Sequence, residues 1–405
     1  MSYIQKGTKE FKNTNIALFA GGFNTFAILY CTQPLMPELS REFKISPTIA
    51  SLSLSVTTIT LAFSMLLFGS LSEVLGRKIV MSFSIVSASI LVLLTAFVPG
   101  FHYLLIFRVL QGLVLAGLPA VAMAYIGEEI EAKSLGMAMG LYISGNSIGG
   151  MAGRIIIGTI TDFFNWRAAL ACIGILGLMF SILFLIKLPE SKNFTPRKFE
   201  VSKLLKSMIN HIKNPRLLCL YAIGFLIMGS FVSLYNFIGY QLLEPPYSLS
   251  QVLVGFIFLI YIIGTFSSTW MGRMADRYGQ SKVLWIVILV MAIGAVITLK
   301  ISLIIKIIGI AIFTFGFFGA HSIASSWIGK LSTHDKSQAS ALYLFFYYIG
   351  SSIGGTSGGT FWSLYGWKGV IGMISCFLIL AVLLSVTVAF ITKKINLKQE
   401  NLPCK

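Results

Sequence analysis

Charge is what this sequence has least of. Only 11% of its 405 residues are Asp, Glu, Lys or Arg, against about 25% in an ordinary soluble domain, so a water-facing surface of normal size cannot be covered. Acidic residues are scarcest, 14 against 31 basic ones, and none lies deep in an apolar run. Glu38, Asp162 and Glu244 come nearest, at run edges. Neither paired deep carboxylates nor an H-E-x-x-H pattern occurs, and no Cys/His/Asp/Glu cluster has ligand spacing, so an enzyme or a metal site is not expected. A phosphate-binding loop of the Walker type is absent, which argues against ATP-driven work. Cysteine is sparse and forms no C-x-x-C pair. Cys31, Cys172, Cys219 and Cys376 fall inside apolar runs, with Cys404 in the tail, and the four read as small buried apolar residues. No cofactor is implied.

What is present is apolar sequence in long runs: 56% of residues are hydrophobic and the mean hydropathy is +0.85. A bilayer span needs about 20 such residues. Breakers divide the chain into about twelve spans, near 15–37, 48–71, 78–99, 102–126, 134–160 and 166–187, then 216–242, 249–271, 281–300, 303–327, 338–362 and 367–391. The expected fold is therefore an all-α membrane protein of twelve transmembrane helices. Between the sixth and seventh spans lies one long polar segment, 188–215, with a basic stretch from Lys198 to Lys213 that could form an amphipathic helix on an anionic leaflet. It separates an N-terminal bundle, 1–187, from a C-terminal bundle and tail, 216–405. Lys6, Lys9 and Lys12 precede a first run too long for a cleavable signal and without a small-residue cleavage site.

The net charge of +17 could suggest nucleic acid, but all but two of the basic residues sit in the segments between apolar runs. Most fall on one side, including Arg77, Lys78, Lys133, Lys187, Lys192, Arg273, Arg277, Lys282, Lys330 and Lys336. The other side holds Arg41, Lys44, Arg167, Lys300, Lys306 and Lys368. This asymmetry predicts a multi-pass membrane protein with both termini in the cytoplasm; a prokaryotic plasma membrane is the expected location.

The chain repeats itself. "GSLSEVLGRK" at 69–78 is matched by "GRMADRYGQSK" at 272–282, pairing Gly69 with Gly272, Glu73 with Asp276 and Gly76 with Gly279. Gly145, Gly149, Gly150 and Gly153 are matched by Gly350, Gly354, Gly355 and Gly358 at nearly the same offset. Two unrelated motifs recurring together imply internal duplication. Both copies of the acidic loop fall on the cytoplasmic side, so the two six-helix repeats run parallel, a plan that places a substrate site between halves near the midplane.

In the first loop, glycines permit a tight turn. Glu73 stands near the start of the third span, where the helix dipole favours an anion. Glu128 and Glu129 stand at the end of the fourth, where it disfavours one. They need a cation, and Arg77 is the nearest in topology. The cluster reads either as solvated charges that fix topology or as a cytoplasmic gate, formed by Gly69, Glu73, Gly76, Arg77, Glu128 and Asp276, that holds the halves in one state.

G-x-L-x-[DE]-x-x-G-R-K resembles the signature loop of the major facilitator superfamily, with Glu73 where the family commonly has Asp. "LLIFRVLQG" at 104–112 resembles the family's fourth-helix motif through Arg108 and Gln111. Gly136, Gly145, Gly149–Gly150 and Gly153 resemble the fifth-helix motif of the drug/proton antiporter branch, with Gly150 replacing its Pro and Arg154 its final Gly. The resemblance covers nearly the whole chain. It implies alternating-access transport of a small molecule by a monomer, and in that branch export coupled to protons. The fifth-span glycines make a flat face for close helix approach, expected to seal a contact between halves.

Arg108 and Arg154 are charges within apolar spans, which makes each, with Gln111 one turn beyond Arg108, a candidate to contact the substrate or the coupling network. Arg154 could instead snorkel or pair with Asp162. His321 could titrate near neutral pH or serve as a hydrogen-bonded structural residue. Asn24, Tyr30, Gln33, Tyr235, Asn236, Tyr261, Tyr343 and Tyr347 could line a cavity or simply pack. Together they suit an amphipathic organic substrate better than a bare metal ion. The expected function is proton-coupled efflux of such a molecule. Uptake of a small metabolite anion and a non-transporting receptor are the rivals.

Overall fold

A computed structural model describes residues 3–196, 201–332 and 334–400; Arg197, Lys198, Cys404 and Lys405 lie outside the described residues. Among the described residues the chain is helical, and its one β pairing is a parallel bridge between Ile4 and Ile130. The helices are α1 (Lys9–Tyr30), α2 (Met36–Phe43), α3 (Pro47–Leu75), α4 (Arg77–Thr95), α5 (Phe101–Leu115), α6 (Gly117–Glu129), α7 (Leu135–Phe163), α8 (Trp166–Lys187), α9 (Val201–Lys213), α10 (Pro215–Leu243), α11 (Gln251–Phe256), α12 (Tyr261–Tyr278), α13 (Gln280–Ile297), α14 (Leu303–Leu331) and α15 (Lys336–Glu400).

Nine helical stretches among the described residues are long and apolar enough to cross a membrane. Two of them join adjacent elements: Phe101–Glu129 runs through α5 and α6, and Gln251–Tyr278 through α11 and α12. The last stretch breaks at Gly366, whose φ of 59° and ψ of −149° are non-helical, and so supplies two spans. The helices α1 and α7 are long enough but more polar, which completes the twelve-helix plan. Much of the outer surface is apolar, with Phe97, Phe390 and Ile304 each about 70% exposed or more, as lipid rather than water requires.

Local sequence sets the ends. Thr8, Ser46, Asn165 and Ser250 cap α1, α3, α8 and α11 by accepting from the backbone N–H groups of Phe11, Ile49, Ala168 and Leu253. Gly76 and Gly279, the paired glycines of the repeat, turn the chain between α3 and α4 and between α12 and α13. Their φ,ψ values are 99°,146° and 95°,134°, left-handed geometry that a side chain disfavours. The repeat is therefore conformational as well as compositional.

By spatial clustering the chain forms two units. The first is Met1–Phe199 with Gly239–Leu259, and the second is Glu200–Ile238 with Ile260–Lys405. In the first, α1 lies along α7 and α8, α4 along α8, α5 and α6, and α3 along α5. A Cβ on Gly145 would stand 2.5 Å from the Phe19 carbonyl oxygen, one on Gly153 2.8 Å from the Ala27 Cα, and Gly149 abuts Phe23. The α7 glycines thus seat α1 of their own bundle, where the sequence led us to expect the opposite half. Four-residue spacing defines a face but not its partner. Farther along α7, Gly158 meets the Gln251–Gly255 turn. In the second unit Gly350, Gly354 and Gly358 seat α10 in the same manner, against Phe225, Gly229 and Phe237.

Two expectations change. Lys306, counted by sequence with the outer-side loop charges, lies in the first turn of α14, where it is buried and donates to the Thr298 carbonyl beside Trp367. Cys376 is exposed, while Cys31 is buried; a membrane helix meets apolar lipid on its outside, so an apolar run does not require burial.

Candidate functional site

Arg108, on α5, is fully buried, and its fork is spent on the protein. Nε donates to the Ser53 carbonyl at 2.7 Å, Nη1 to the Ile28 carbonyl at 3.1 Å and to Gln111 Oε1 at 2.6 Å, and Nη2 to the Leu29 carbonyl at 2.6 Å. Gln111 in turn donates to Thr95 Oγ1 at 2.8 Å. Ile28 and Leu29 lie in the last turn of α1, where carbonyls lack helical partners and a cation is favoured by the dipole. Arg108 is thus a C-terminal cap on α1 that also ties in α3.

Arg154, on α7, is also buried. Its Nε donates to Gln33 Oε1 at 2.7 Å and its Nη1 to the Gly150 carbonyl. The guanidinium carbon lies 4.1 Å from the Tyr30 ring centroid and 4.7 Å from that of Phe258, a double cation–π contact. The structure therefore brings Tyr30, Gln33 and Arg154 together, and Gly150, at the position of the missing Pro, leaves the room that the arginine occupies. Asn24 stands apart from them. It donates to Ser89 Oγ, Ser181 Oγ and the Gly177 carbonyl, where α1, α4 and α8 pack.

In the second unit, the remaining candidates gather in an aromatic cluster. His321 Nδ1 is 2.9 Å from the Tyr343 hydroxyl, and its ring lies beside Tyr347 and Phe317. Phe317 stacks on Phe231 with centroids 3.7 Å apart, and Phe231 leads to Tyr235 and Tyr261. The Tyr235 hydroxyl bonds Thr314 Oγ1 at 2.8 Å. Asn236 is buried on the same helix, α10.

The candidate gate residues of the first loop, with Glu128, lie at the end of the first unit that carries the start of α1. Arg77 grips Glu128 in a two-pronged pair at 3.1 and 2.7 Å and donates to Ser72 Oγ at 2.6 Å; Glu73 is 4.0 Å away. The cation that Glu128 needs at the end of α6 is thus Arg77, as topology suggested, but both belong to the first unit, so the pair ties α4 to α6 within one bundle where the sequence led us to expect a hold between the halves. Its counterpart in the second unit is inverted in sign: Asp276, at the end of α12, accepts from Lys330, at the end of α14, at 2.7 Å.

Sequence reasoning missed three features. Lys306 was counted with the outer-loop charges although it lies inside the expected 303–327 span, and nothing in the sequence shows that it folds back on Thr298. Glu129 is 1% exposed, and nothing in the doublet Glu128–Glu129 tells which member turns inward. Asn193 and Phe194 touch the gate, although the linker's composition marks it only as polar.

The Major Facilitator Superfamily profile matches residues 18–268 and 240–402. The chain is 56% identical over 385 residues to the uncharacterized MFS-type transporter YybF of Bacillus subtilis, covering 95% of each chain. It is 48% identical over 381 residues to the inner membrane transport protein YnfM of Escherichia coli, covering 94% of this chain and 91% of that one. A more distant likeness, 26% over 279 residues and 67% and 69% of the two chains, is to the multi-drug resistance efflux pump PmrA of Streptococcus pneumoniae. Among solved structures, a bacterial homologue of the human lysosomal transporter Spinster superposes with a TM-score of 0.77 at 16% identity, covering 98% and 100%, a likeness of fold. With the signature loop, the paired glycine turns and the twelve-helix plan, these matches make the chain a member of the major facilitator superfamily, a multi-pass membrane transporter rather than an enzyme.

Proposed function

We propose that the chain exports a small amphipathic organic molecule in exchange for protons, by alternating access. It works as a monomer in a prokaryotic plasma membrane with both termini in the cytoplasm. The observation that carries this reading is the His321–Tyr343 pair set in an aromatic cluster. No Asp or Glu lies deep in a span, so the half-buried imidazole of His321, hydrogen-bonded to Tyr343, is the titratable side chain of this cluster that we assign to proton exchange. Aromatic rings around it offer apolar contact to an amphipathic solute. The distant likeness to a multi-drug efflux pump and the fifth-helix glycine motif support export. In this reading Arg77, Glu128 and Glu73 are the cytoplasmic gate. Arg108 holds α1 in place, and Arg154 with Tyr30 and Gln33 forms the polar side of the substrate path.

The test is a broad compound panel offered to inverted membrane vesicles with and without an imposed pH gradient. Export predicts gradient-dependent accumulation that His321→Gln abolishes at matched protein abundance. A buried cation beside Tyr30 and Gln33, Arg154, favours a second reading, uptake of a small metabolite anion. Accumulation in energised right-side-out vesicles, with none in inverted ones, would decide for it.

A further inference from the structure

The segment 188–215 joins two bundles, and a tether would need no particular contacts. Its first residues make many. The Tyr125 hydroxyl donates to the Pro189 carbonyl at 3.0 Å, and Lys78 pairs with Glu190 at 2.7 Å. The Asn193 backbone N–H donates to Glu129 Oε1 at 2.9 Å, and its side-chain amide to the Glu128 carbonyl at 3.2 Å. The Phe194 ring lies 5.5 Å from the Arg77 guanidinium carbon and is the nearest side chain to the Gly76 turn.

The location of these contacts gives them meaning. The last carbonyls of α6 have no partner within the helix. Asn193 takes that of Glu128, and the Ile4 N–H takes that of Glu129 at 2.8 Å. Glu129 is a buried carboxylate at the unfavourable end of a helix dipole, and the Asn193 backbone is what meets its Oε1. Phe194 covers Arg77, whose side chain is 9% exposed, and shields the pair it makes with Glu128 from water, which strengthens the attraction.

We propose that Asn193 and Phe194 are positioning residues for the Arg77–Glu128 pair. The first turn of the linker is a clasp that closes over the ends of α4 and α6 and must lift before they can separate. The proposal rests on the reading of that pair as a gate, but its test needs no substrate.

Hydrogen–deuterium exchange of the purified full-length protein in lipid nanodiscs compares peptides spanning 72–80 and 125–134 with one spanning 160–170 at the opposite end. Phe194→Ala is expected to speed exchange in the first two about two- to fivefold, the worth of one cation–π contact, and to leave the third unchanged. Phe194→Trp should restore the parent rates, since only a ring is required. Asn193→Ala should match or exceed Phe194→Ala. In an Arg77→Ala background Phe194→Ala should add almost nothing at 125–134, because the two act on one pair. Lys192→Ala, which removes an exposed pair with Glu10, is the control and should be silent. Parent-like exchange in both Phe194→Ala and Asn193→Ala overturns the clasp. So does an equal rise at 160–170, or full additivity with Arg77→Ala, since either marks general packing. Loss of export in the vesicle panel with the exchange pattern intact would count against the transport reading alone.

Discussion

Replacing Arg108 by Gln leaves a measurable hole in the hydrogen bonding of α1. Four acceptors lose the guanidinium as a donor: the carbonyls of Ser53, Ile28 and Leu29, and Gln111 Oε1. Within membranes a polar contact averages about 0.6 kcal/mol, which gives a floor near 2.4 kcal/mol. Bonds from a charged donor are worth about 1.5–3 kcal/mol each, which gives about 6 kcal/mol at the lower end. The Ser53 carbonyl keeps the Thr32 and Thr57 hydroxyls at 3.2 and 3.4 Å and the Ile28 carbonyl keeps the Cys31 N–H at 3.4 Å, so these two lose least. We therefore expect about 3–5 kcal/mol, the usual cost of removing one partner of a buried charged contact. Cys31 reports it directly, being buried with its sulfur 3.7 Å from Nη1. In a protein whose other cysteines are replaced, the alkylation rate of Cys31 measures opening of this end of α1. A loss of about 3 kcal/mol makes it more than about 100-fold faster. Arg108→Lys, with one ammonium in place of a fork, should fall between. Alkylation of Arg108→Gln within about threefold of the parent would show that the cap does not hold α1, and would return Arg108 to the substrate-contact reading.

Further outcomes follow from the same geometry. Gly149→Ala and Gly350→Ala push a methyl group into the backbones of Phe23 and Phe225 and should each cost about 1–3 kcal/mol, read as a lowered midpoint of thermal unfolding in detergent; Gly140→Ala, where nothing lies within 4 Å, should not. Tyr343→Phe removes the partner of His321 Nδ1 and should move the pH optimum of transport; an unmoved profile with normal turnover would separate His321 from coupling. Glu131 accepts from the Lys6 N–H and from Ser134, contacts that hold its carboxyl below the usual carboxylate range. A depressed folded-state pKa means this support is present above the usual carboxylate range and lost as pH falls through the depressed value. The protection factors of amides around Ile4, with the intrinsic pH dependence of exchange divided out, should fall on acidification, and Glu131→Gln should flatten that dependence.

Which features were legible from sequence follows from their physics. Span number came through because apolar length is set by bilayer thickness, and the repeat because glycine turns at Gly76 and Gly279 admit few other residues. The Arg77–Glu128 pair was inferable, since an acid at a helix end requires a cation. Helix ends were less legible: the first run was expected to reach 37, yet α1 stops at Tyr30 and a separate short helix, α2, starts at Met36. Long-range partners were least legible. Arg108 and Arg154 look alike in sequence, yet one is absorbed by backbone carbonyls and the other lies between two rings. Only the packed positions of α1, α3 and Phe258 distinguish them.

The two copies of the loop have the same turn and opposite electrostatics, and their environments make them unequal. In the first unit Arg77 is 9% exposed and Glu128 32%, with Ser72 and Phe194 against the guanidinium. A sheltered two-pronged pair of this kind loses far more on separation than a solvated one, because a desolvated charge is left behind. In the second unit Lys330 and Asp276 are 56% and 65% exposed, and such pairs contribute about 0–1 kcal/mol. A conformational change that parts both should therefore meet most of its electrostatic resistance at Arg77–Glu128. Asp276→Asn should alter transport little, and raised salt should not rescue it. Arg77→Lys, which keeps charge but not the fork, should slow turnover. Equal effects of the two substitutions at matched abundance would contradict this assignment, since they would require the exposed pair to carry as much free energy as the sheltered one.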